Sequence, residues 1–309
     1  MLPFGNICTD IKRDGWLSVA ILWQARLNGI DGIRPDRAAD HPVIIDMSAK
    51  IEPTNKSEES VWDLVKVILQ ALLIAFVVRT FFFQPFNIPS GSMIPTLLIG
   101  DYLFVNKLSY GYSKYSFNFS IGLGGRDLFK FGPVPFEGRV LANVPARGDI
   151  AVFKLPADNE TDYIKRVIGL PGDRIRVTDG VLYINDLAVK RERLNDLDMD
   201  ASAGVRGPIR QYREILPNGV SYVTYDLWDQ GTADNTQEFK VPPNHYFMMG
   251  DNRDNSTDSR FPQVGYVPYE NLVGRATIIF FSHDPRYALY EFWDWPFAIR
   301  WGRLFTLVH

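Results

Sequence analysis

Cysteine is nearly absent from this chain: Cys8 stands alone among 309 residues. A single cysteine excludes an intrachain disulfide and a CxxC metal site. The four histidines are scattered, without paired or HExxH spacing, so we expect neither a metal site nor any cofactor. A basic excess is missing too, because the net charge is −3, and we therefore expect no nucleic-acid partner.

Internal repeats are also absent, and no long helical pattern dominates. The chain has 20 prolines and 24 glycines, which favour many turns and short strands. We therefore predict a mainly β fold: an antiparallel β-sheet core with a second, smaller β lobe, preceded by one transmembrane helix. The expected division of the chain is a tail over 1–60, the helix over 61–83, the core over 84–175 and 245–309, and the second lobe over 176–244.

The membrane helix is predicted from the run between Trp62 and Phe83. Its apolar centre, Val67 to Val78, is short for a span, which leaves a buried core helix as the alternative. Lys66 on one side and Arg79 with three phenylalanines on the other favour the span, as snorkelling and interfacial residues. More lysines precede the helix than follow it, which places the N-terminus in the cytoplasm.

Residues 1–46, within the expected tail over 1–60, contain one apolar run, Trp16 to Trp23, which is too short to cross a bilayer. The run lacks the flanks of a signal peptide. We expect a disordered, cytoplasmic tail, and Met47, where the sequence turns polar, is an alternative start site.

The remaining chain is predicted to consist mostly of strands. They are expected at 102–107, 148–153, 162–168, 174–178, 181–185 and 276–281, with sparser strands between 190 and 240. Asp179-Gly180 and Pro217-Asn218-Gly219 are typical of hairpin turns. Residues 109–140 have no clear period and are expected to form a long surface excursion.

Ser90, Gly91 and Ser92 lie between Pro89 and Pro95, on a segment that must bend and stay extended. Such a segment can present a serine nucleophile if a base lies within reach. The alternative is a polar turn between a membrane segment and a strand.

Lys165 is one candidate base, because it alternates with Tyr163 and Val167 on an apolar strand. Burial would lower the pKa of its amine and allow it to deprotonate a serine. The alternative is that Lys165 reaches the surface or pairs with an acid such as Asp162. A histidine-based triad also stays open, since distance along the chain does not exclude it.

The run from Gly250 to Arg260 carries three acids but departs from a calcium loop at Arg253 and at the twelfth position. A loop cross-linked by Asp–Arg pairs fits better, and such a loop can hold Ser256 against Lys165.

Four blocks together resemble bacterial type I signal peptidase. They are residues 90–97, 147–150, 163–173 and 250–256, in that family's order and after a membrane anchor. The resemblance implies a membrane-anchored serine endopeptidase that removes signal peptides from exported preproteins after small residues. Its expected place is the bacterial inner membrane, with a single pass and the catalytic domain on the periplasmic side.

The resemblance also implies residue roles. Ser92 is the nucleophile and Lys165 the general base, while Ser90 and Ser92 form the oxyanion hole. Ser256, Asp258 and Arg260 support the dyad. The implied substrate-binding residues are Phe86, Ile88, Pro89, Leu97, Val152, Asp162, Tyr163 and Ile164.

Two other functions stay open. Self-cleaving repressors share a Ser–Lys dyad, although residues 1–60 lack a helix-turn-helix pattern. A membrane-anchored β module could instead bind partners without catalysis. The aromatic C-terminus, from Tyr287 to Phe305, is expected to contact the membrane, with core packing as the alternative.

Overall fold

The computed structural model describes residues 61–117, 119–123, 126–132, 134–197, 208–228, 230–288 and 290–308. The predicted tail over 1–60 and the start at Met47 lie outside these residues. The α-helices are α1 (Val61–Phe81) and α2 (Trp295–Ala298), and short 3-10 turns cover Gly91–Met93, Lys107–Ser109, Tyr269–Asn271, Phe292–Asp294 and Trp301–Arg303. The strands are β1 (Phe83–Asn87), β2 (Asp101–Asn106), β3 (Phe119–Leu123), β4 (Arg126–Phe131), β5 (Ile150–Lys154), β6 (Asp162–Gly169), β7 (Arg174–Thr178), β8 (Val181–Ile184), β9 (Leu187–Ala188), β10 (Lys190–Arg193), β11 (Arg210–Ile215), β12 (Ser221–Asp226), β13 (Phe239–Lys240), β14 (His245–Met249), β15 (Val267–Pro268), β16 (Leu272–Ser282) and β17 (Thr306–Leu307).

Helix α1 is long and apolar enough to cross a bilayer. Its 21 residues rise about 32 Å, close to the thickness of a hydrocarbon core of about 30 Å. None of its residues is buried against the other residues that the structure describes, so α1 is not a buried helix in the core of this fold.

The main sheet has the strand order β1–β2–β16–β5–β6–β14–β15, and β17 pairs with β16. All of these pairings are antiparallel. The Ser90–Ser92 segment connects β1 to β2, Lys165 lies on β6, and the 250–260 loop follows β14. The topology therefore brings three segments that are distant in sequence to one part of the sheet.

Two smaller sheets occupy the sequence between β6 and β14. One has the order β13–β7–β8–β9 and the other β10–β11–β12. The predicted hairpin at Asp179-Gly180 joins β7 to β8, with φ angles of 48° and 72° that suit a type I′ turn. The predicted mainly antiparallel β fold with one apolar helix is confirmed.

Two expectations about local structure differ from the observed fold. Strands are not sparse between 190 and 240, since β10, β11 and β12 form a sheet there. The polar sequence is compatible with strands because its charged residues have partners: Glu214, for example, is buried in an ion pair with Arg253. The expected excursion over 109–140 contains the hairpin of β3 and β4, whose mixed sequence gives no clear alternation.

The C-terminal rings are mostly on the surface. The most exposed are Tyr290, Phe292, Trp293, Phe297, Trp301 and Phe305, each more than half exposed. Core packing of these rings, the alternative considered above, is therefore excluded.

A buried ion pair joins β6 to the loop after β14. Arg166, which is fully buried, donates from Nε and Nη2 to the two carboxylate oxygens of Asp251, at 2.8 and 2.7 Å. Thr96 Oγ1 donates to the same carboxylate at 2.5 Å. This network fastens the segment after Ser92 to both neighbouring elements.

Removing one partner of this network should destabilise the fold strongly, because the other charge stays buried and unpaired. We expect Arg166→Met to lower the free energy of unfolding by about 3–5 kcal/mol, measured by denaturant titration in detergent. Arg286→Met is the matched control, since Arg286 forms an exposed ion pair with Asp284 and its loss should change stability little. Equal stability of the two variants would contradict this assignment.

Candidate active site

Ser92 lies in the short 3-10 turn Gly91–Met93, where the chain passes from β1 to β2. The turn is held from below by apolar side chains, because Met93, Ile94 and Leu97 are fully buried. It is held from the side by Asn252, whose N–H donates to Ser92 O at 3.2 Å and whose Nδ2 donates to Gly91 O at 3.1 Å. The backbone of the turn is therefore fixed before any substrate arrives.

Lys165 lies on β6, where it pairs with Ala151 of β5. Its side chain is on the face opposite to that of Arg166, as expected for neighbours on a strand. The residue is 3% exposed, and its ammonium lies 5.5 Å from the centre of the Tyr163 ring. Burial of a lysine without a paired carboxylate is costly, which makes this residue a candidate for function.

The contact between the two residues defines the site. Lys165 Nζ is hydrogen-bonded to Ser92 Oγ at 2.5 Å, and both groups are buried. Among the described residues no carboxylate forms an ion pair with Lys165: Asp162 pairs with Lys154 at 2.9 Å, and Asp258 pairs with Arg260.

The pKa of Lys165 is lowered from its ordinary value to about 8. Burial is the main cause, since the charged form loses its hydration. The carboxylates of Asp258 and Asp251 act in the opposite direction, and the Arg260 guanidinium lowers the pKa further. At pH 7.5 a pKa of 8 leaves roughly a quarter of the amine neutral, against about one part in a thousand for an ordinary lysine.

The loop after β14 encloses the Lys165 side of the site. Asp258 accepts hydrogen bonds from Gly250 N at 3.0 Å, from Ser256 Oγ at 2.8 Å and from Arg260 Nε at 2.9 Å. Burial raises the pKa of Asp258, but Arg260 and these donors outweigh burial and keep that pKa below its ordinary value. Ser256 thus donates to Asp258, and no hydrogen bond joins it to Lys165. Gly250 has no room for a side chain, because a Cβ there would overlap Ser256 Oγ and Ser92 O.

Ser90 is exposed, and its Oγ lies 3.5 Å from Ser92 Oγ. The residue has extended backbone angles, φ −124° and ψ 153°, just before the turn. A hydroxyl at this position is open to an incoming ligand and adjacent to the Ser92 hydroxyl.

A cleft of about 540 Å³ opens in front of these residues. Its walls are the segment before Ser92, the start of β6, and two residues of the 250–260 loop. The lining residues are Phe86, Asn87, Ile88, Pro89, Ser90, Ser92, Val152, Asp162, Tyr163, Ile164, Lys165, Asn255 and Thr257. Of the residues expected to bind substrate, Leu97 does not reach the cleft, because it is fully buried in the core with Ile88 and Met93.

The alternatives for the base can now be compared with the structure. The two histidines that the structure describes make their contacts elsewhere. His245 Nδ1 is hydrogen-bonded to Pro243 O at 2.8 Å, and His283 stacks on Phe281. Lys165 neither reaches the surface nor pairs with Asp162.

Several residues of the site were not identified from the sequence. Asn87, Asn255 and Thr257 line the cleft, and Asp251 binds Arg166 beneath it. The sequence did indicate that Arg166 needs a partner. Lys165 and Arg166 are adjacent on one apolar strand and must face opposite sides, so each buried cation needs its own compensating contacts. The polar side chains of Asn255 and Thr257 gave no such signal.

The chain was compared with known proteins. The family model described as signal peptidase, peptidase S26, matches residues 61–281. Signal peptidase I of Rickettsia conorii is 41% identical over 235 residues, which are 74% of this chain and 82% of the relative. Signal peptidase I of Rickettsia typhi is 43% identical over 217 residues, which are 68% and 76% of the two chains. A crystal structure of a signal peptidase I from Enterococcus faecalis is 29% identical and covers 43% of this chain and 97% of that chain, with a TM-score of 0.26.

Proposed function

We propose that this chain, which belongs to the signal peptidase I family (peptidase S26) and is a serine endopeptidase, cleaves signal peptides from exported preproteins. In this proposal Ser92 is the nucleophile and Lys165 is the general base. The observation that carries this proposal is the buried 2.5 Å contact between Ser92 Oγ and Lys165 Nζ. A lysine with a pKa of about 8 supplies a neutral amine near neutral pH, as a direct base for serine requires.

In the first step the neutral Lys165 amine takes the proton of Ser92 Oγ, and the oxygen attacks the carbonyl carbon of the scissile peptide bond. The carbonyl oxygen becomes negatively charged, and we assign its stabilisation to Ser90 Oγ and the Ser92 N–H. One donor of this kind contributes about 3–4 kcal/mol to transition-state stabilisation. The Lys165 ammonium then gives its proton to the leaving amine as the C–N bond breaks.

In the second step the acyl group is removed from Ser92. Lys165, neutral again, takes a proton from a water molecule, whose oxygen attacks the ester carbonyl carbon. The second tetrahedral intermediate collapses, the bond to Ser92 Oγ breaks, and the proton returns from Lys165 to the serine. Asp258, Arg260 and Ser256 keep the surroundings of the amine fixed through both steps.

The substrate strand fits between two partly open edges of the main sheet. Strand β14 pairs with β6 only over Arg166–Gly169, so the β6 edge over Asp162–Lys165 faces the cleft. Strand β1 pairs with β2, and the residues that follow β1 form the opposite wall. An extended peptide can add to these edges by main-chain hydrogen bonds, with alternate side chains in pockets.

The pockets should accept only small side chains, because Ile88, Tyr163, Ile164 and Val152 crowd the cleft beside Ser92. We therefore propose cleavage after Ala-X-Ala-type sequences. Phe86, Pro89 and Asp162 line the same cleft, whereas Leu97 supports it from the core.

We further propose that α1 anchors the enzyme in the bacterial inner membrane, with the catalytic unit on the periplasmic side. The exposed C-terminal rings would add a membrane-contacting surface. We also propose the division expected from the sequence, a core over 84–175 and 245–309 with a second lobe over 176–244, and the grouping of β7–β13 into two smaller sheets supports it.

The dyad predicts that Ser92→Ala and Lys165→Met each lower kcat by about 10⁴-fold or more without unfolding the protein. Lys165→Arg should fail equally, because a guanidinium stays protonated. The assay is cleavage of a labelled preprotein in detergent, with Ser221→Ala and Lys190→Met as controls at exposed positions outside the cleft. Turnover of Ser92→Ala at the wild-type rate would contradict the dyad, whereas a wild type that does not cleave the preprotein would favour a non-catalytic binding module.

The pocket assignment predicts that leucine at the first position before the cut is hydrolysed at least about fivefold more slowly than alanine, because an overfilled pocket costs about 1–3 kcal/mol. Ile164→Ala should reduce the ratio of kcat/KM for the alanine peptide to kcat/KM for the leucine peptide. Ile215→Ala, the same change outside the cleft, should leave it unaltered. Equal cleavage of both peptides by the wild type would refute the pocket.

A further inference from the structure

The membrane helix and the catalytic sheet are joined without a linker. Helix α1 ends at Phe81 and β1 begins at Phe83. The last carbonyl groups of any helix lack partners within the helix, and such groups are costly where water is scarce. The carbonyl groups at the end of α1 therefore need hydrogen-bond donors from elsewhere in the chain.

Residues 107–117 supply these partners, and we call them the helix collar. Lys107 Nζ donates to Thr80 O at 3.2 Å, and Tyr112 Oη donates to Phe81 O at 2.5 Å. The backbone N–H of Lys107 donates to Phe82 O at 3.0 Å. Successive carbonyl groups at the helix end are thus bound by residues of one segment.

Lys107 is also committed to the collar itself. Its Nζ donates to Ser116 O at 2.5 Å, and the residue is only 2% exposed. A cation at a helix C-terminus is favoured by the helix dipole, in addition to the hydrogen bonds. The amine has therefore been withdrawn from water to join two main-chain segments.

Aromatic packing adds a second set of contacts. The Phe81 ring meets Tyr112 and Phe117 edge to face, with centroid distances of 6.4 and 5.8 Å, and Tyr112 stacks on Phe117 at 5.4 Å. Tyr112 is itself fixed to the main body, because it exchanges backbone hydrogen bonds with Val140 at 2.8 and 2.9 Å. Arg139, next to Val140, donates to Gly111 O at 2.6 Å.

The collar is close to the cleft as well as to the helix. Strand β1 has five residues, about 17 Å, and leads directly from the helix end to Ile88 and Pro89 in the cleft wall. Burial and the Arg79 guanidinium lower the pKa of Lys107 to about 8, while the Asp162 carboxylate of the opposite wall acts to raise it. A shift of the helix end would therefore be transmitted to the cleft.

We propose that Lys107 and Tyr112 are positioning residues that lock the end of the membrane helix to the catalytic sheet, and so fix the height of Ser92 above the bilayer. This inference rests on the proposed function. A preprotein is held by its own apolar segment in the same bilayer, so a fixed height selects the spacing between that segment and the bond to be cut. The collar thus gives the start of the 109–140 excursion a role in substrate selection.

The test uses the full chain in lipid vesicles and a series of preproteins whose spacer between apolar segment and cleavage site is lengthened one residue at a time. A soluble peptide without an apolar segment is cleaved in parallel. We expect the wild type to prefer one spacer over the longest by about tenfold, because small displacements of a reacting bond are costly. Lys107→Met and Tyr112→Phe should reduce this preference to about twofold and change kcat/KM for the soluble peptide by less than about twofold.

Tyr183→Phe and Lys190→Met are the matched controls, since they make the same changes on β8 and β10, and they should keep the wild-type spacing profile. If Lys107→Met does not fold, Tyr112→Phe decides, because it removes only a hydroxyl. A wild-type profile in Tyr112→Phe, or loss of soluble-peptide cleavage by it, would overturn the inference. A wild type that cleaves neither substrate would instead refute the proposed function.

Discussion

The active site depends on keeping the Lys165 amine out of water and out of any ion pair with a carboxylate. Lys165 is 3% exposed, and the acids nearest to it are already bound, Asp258 by Arg260 and Asp251 by Arg166. If either carboxylate bound the Lys165 amine directly, the pKa of the amine would rise and the amine would stay protonated, so it could not act as a base. The two arginines therefore matter for the lysine through the carboxylates that they neutralise.

This constraint explains why so much of the fold converges on the site. Arg166 and Lys165 are neighbours on β6 and face opposite sides, so one strand supplies both the amine and the anchor for Asp251. Asp251 in turn holds Thr96, four residues after Ser92, while Asn252 holds the turn that carries Ser92. The nucleophile, the base and the surrounding charges are thus fixed by one connected network, which suits a reaction that needs little reorganisation.

Much of this arrangement was predictable from the sequence, for identifiable reasons. The hairpin at Asp179-Gly180 and the apolar helix are local signals, and both agree with the structure. The pairing of Ser92 with Lys165 was predicted only through the family resemblance, since 73 residues separate them. Three features were not predicted: Leu97 lies beneath the cleft, Asn255 lines it, and Arg166 pairs with Asp251. They depend on the relative positions of β1, β6 and β14, which no local sequence pattern indicates.

The pH dependence of kcat/KM for a soluble peptide tests the central claim most directly. The protonated amine of Lys165 is inactive and the neutral amine is active, so activity should fall about tenfold per pH unit below the pKa and level off above it. We predict a midpoint near pH 8, at the lowered pKa of Lys165. A midpoint near 10.5, the ordinary lysine value, or activity that rises as the pH falls would contradict the account.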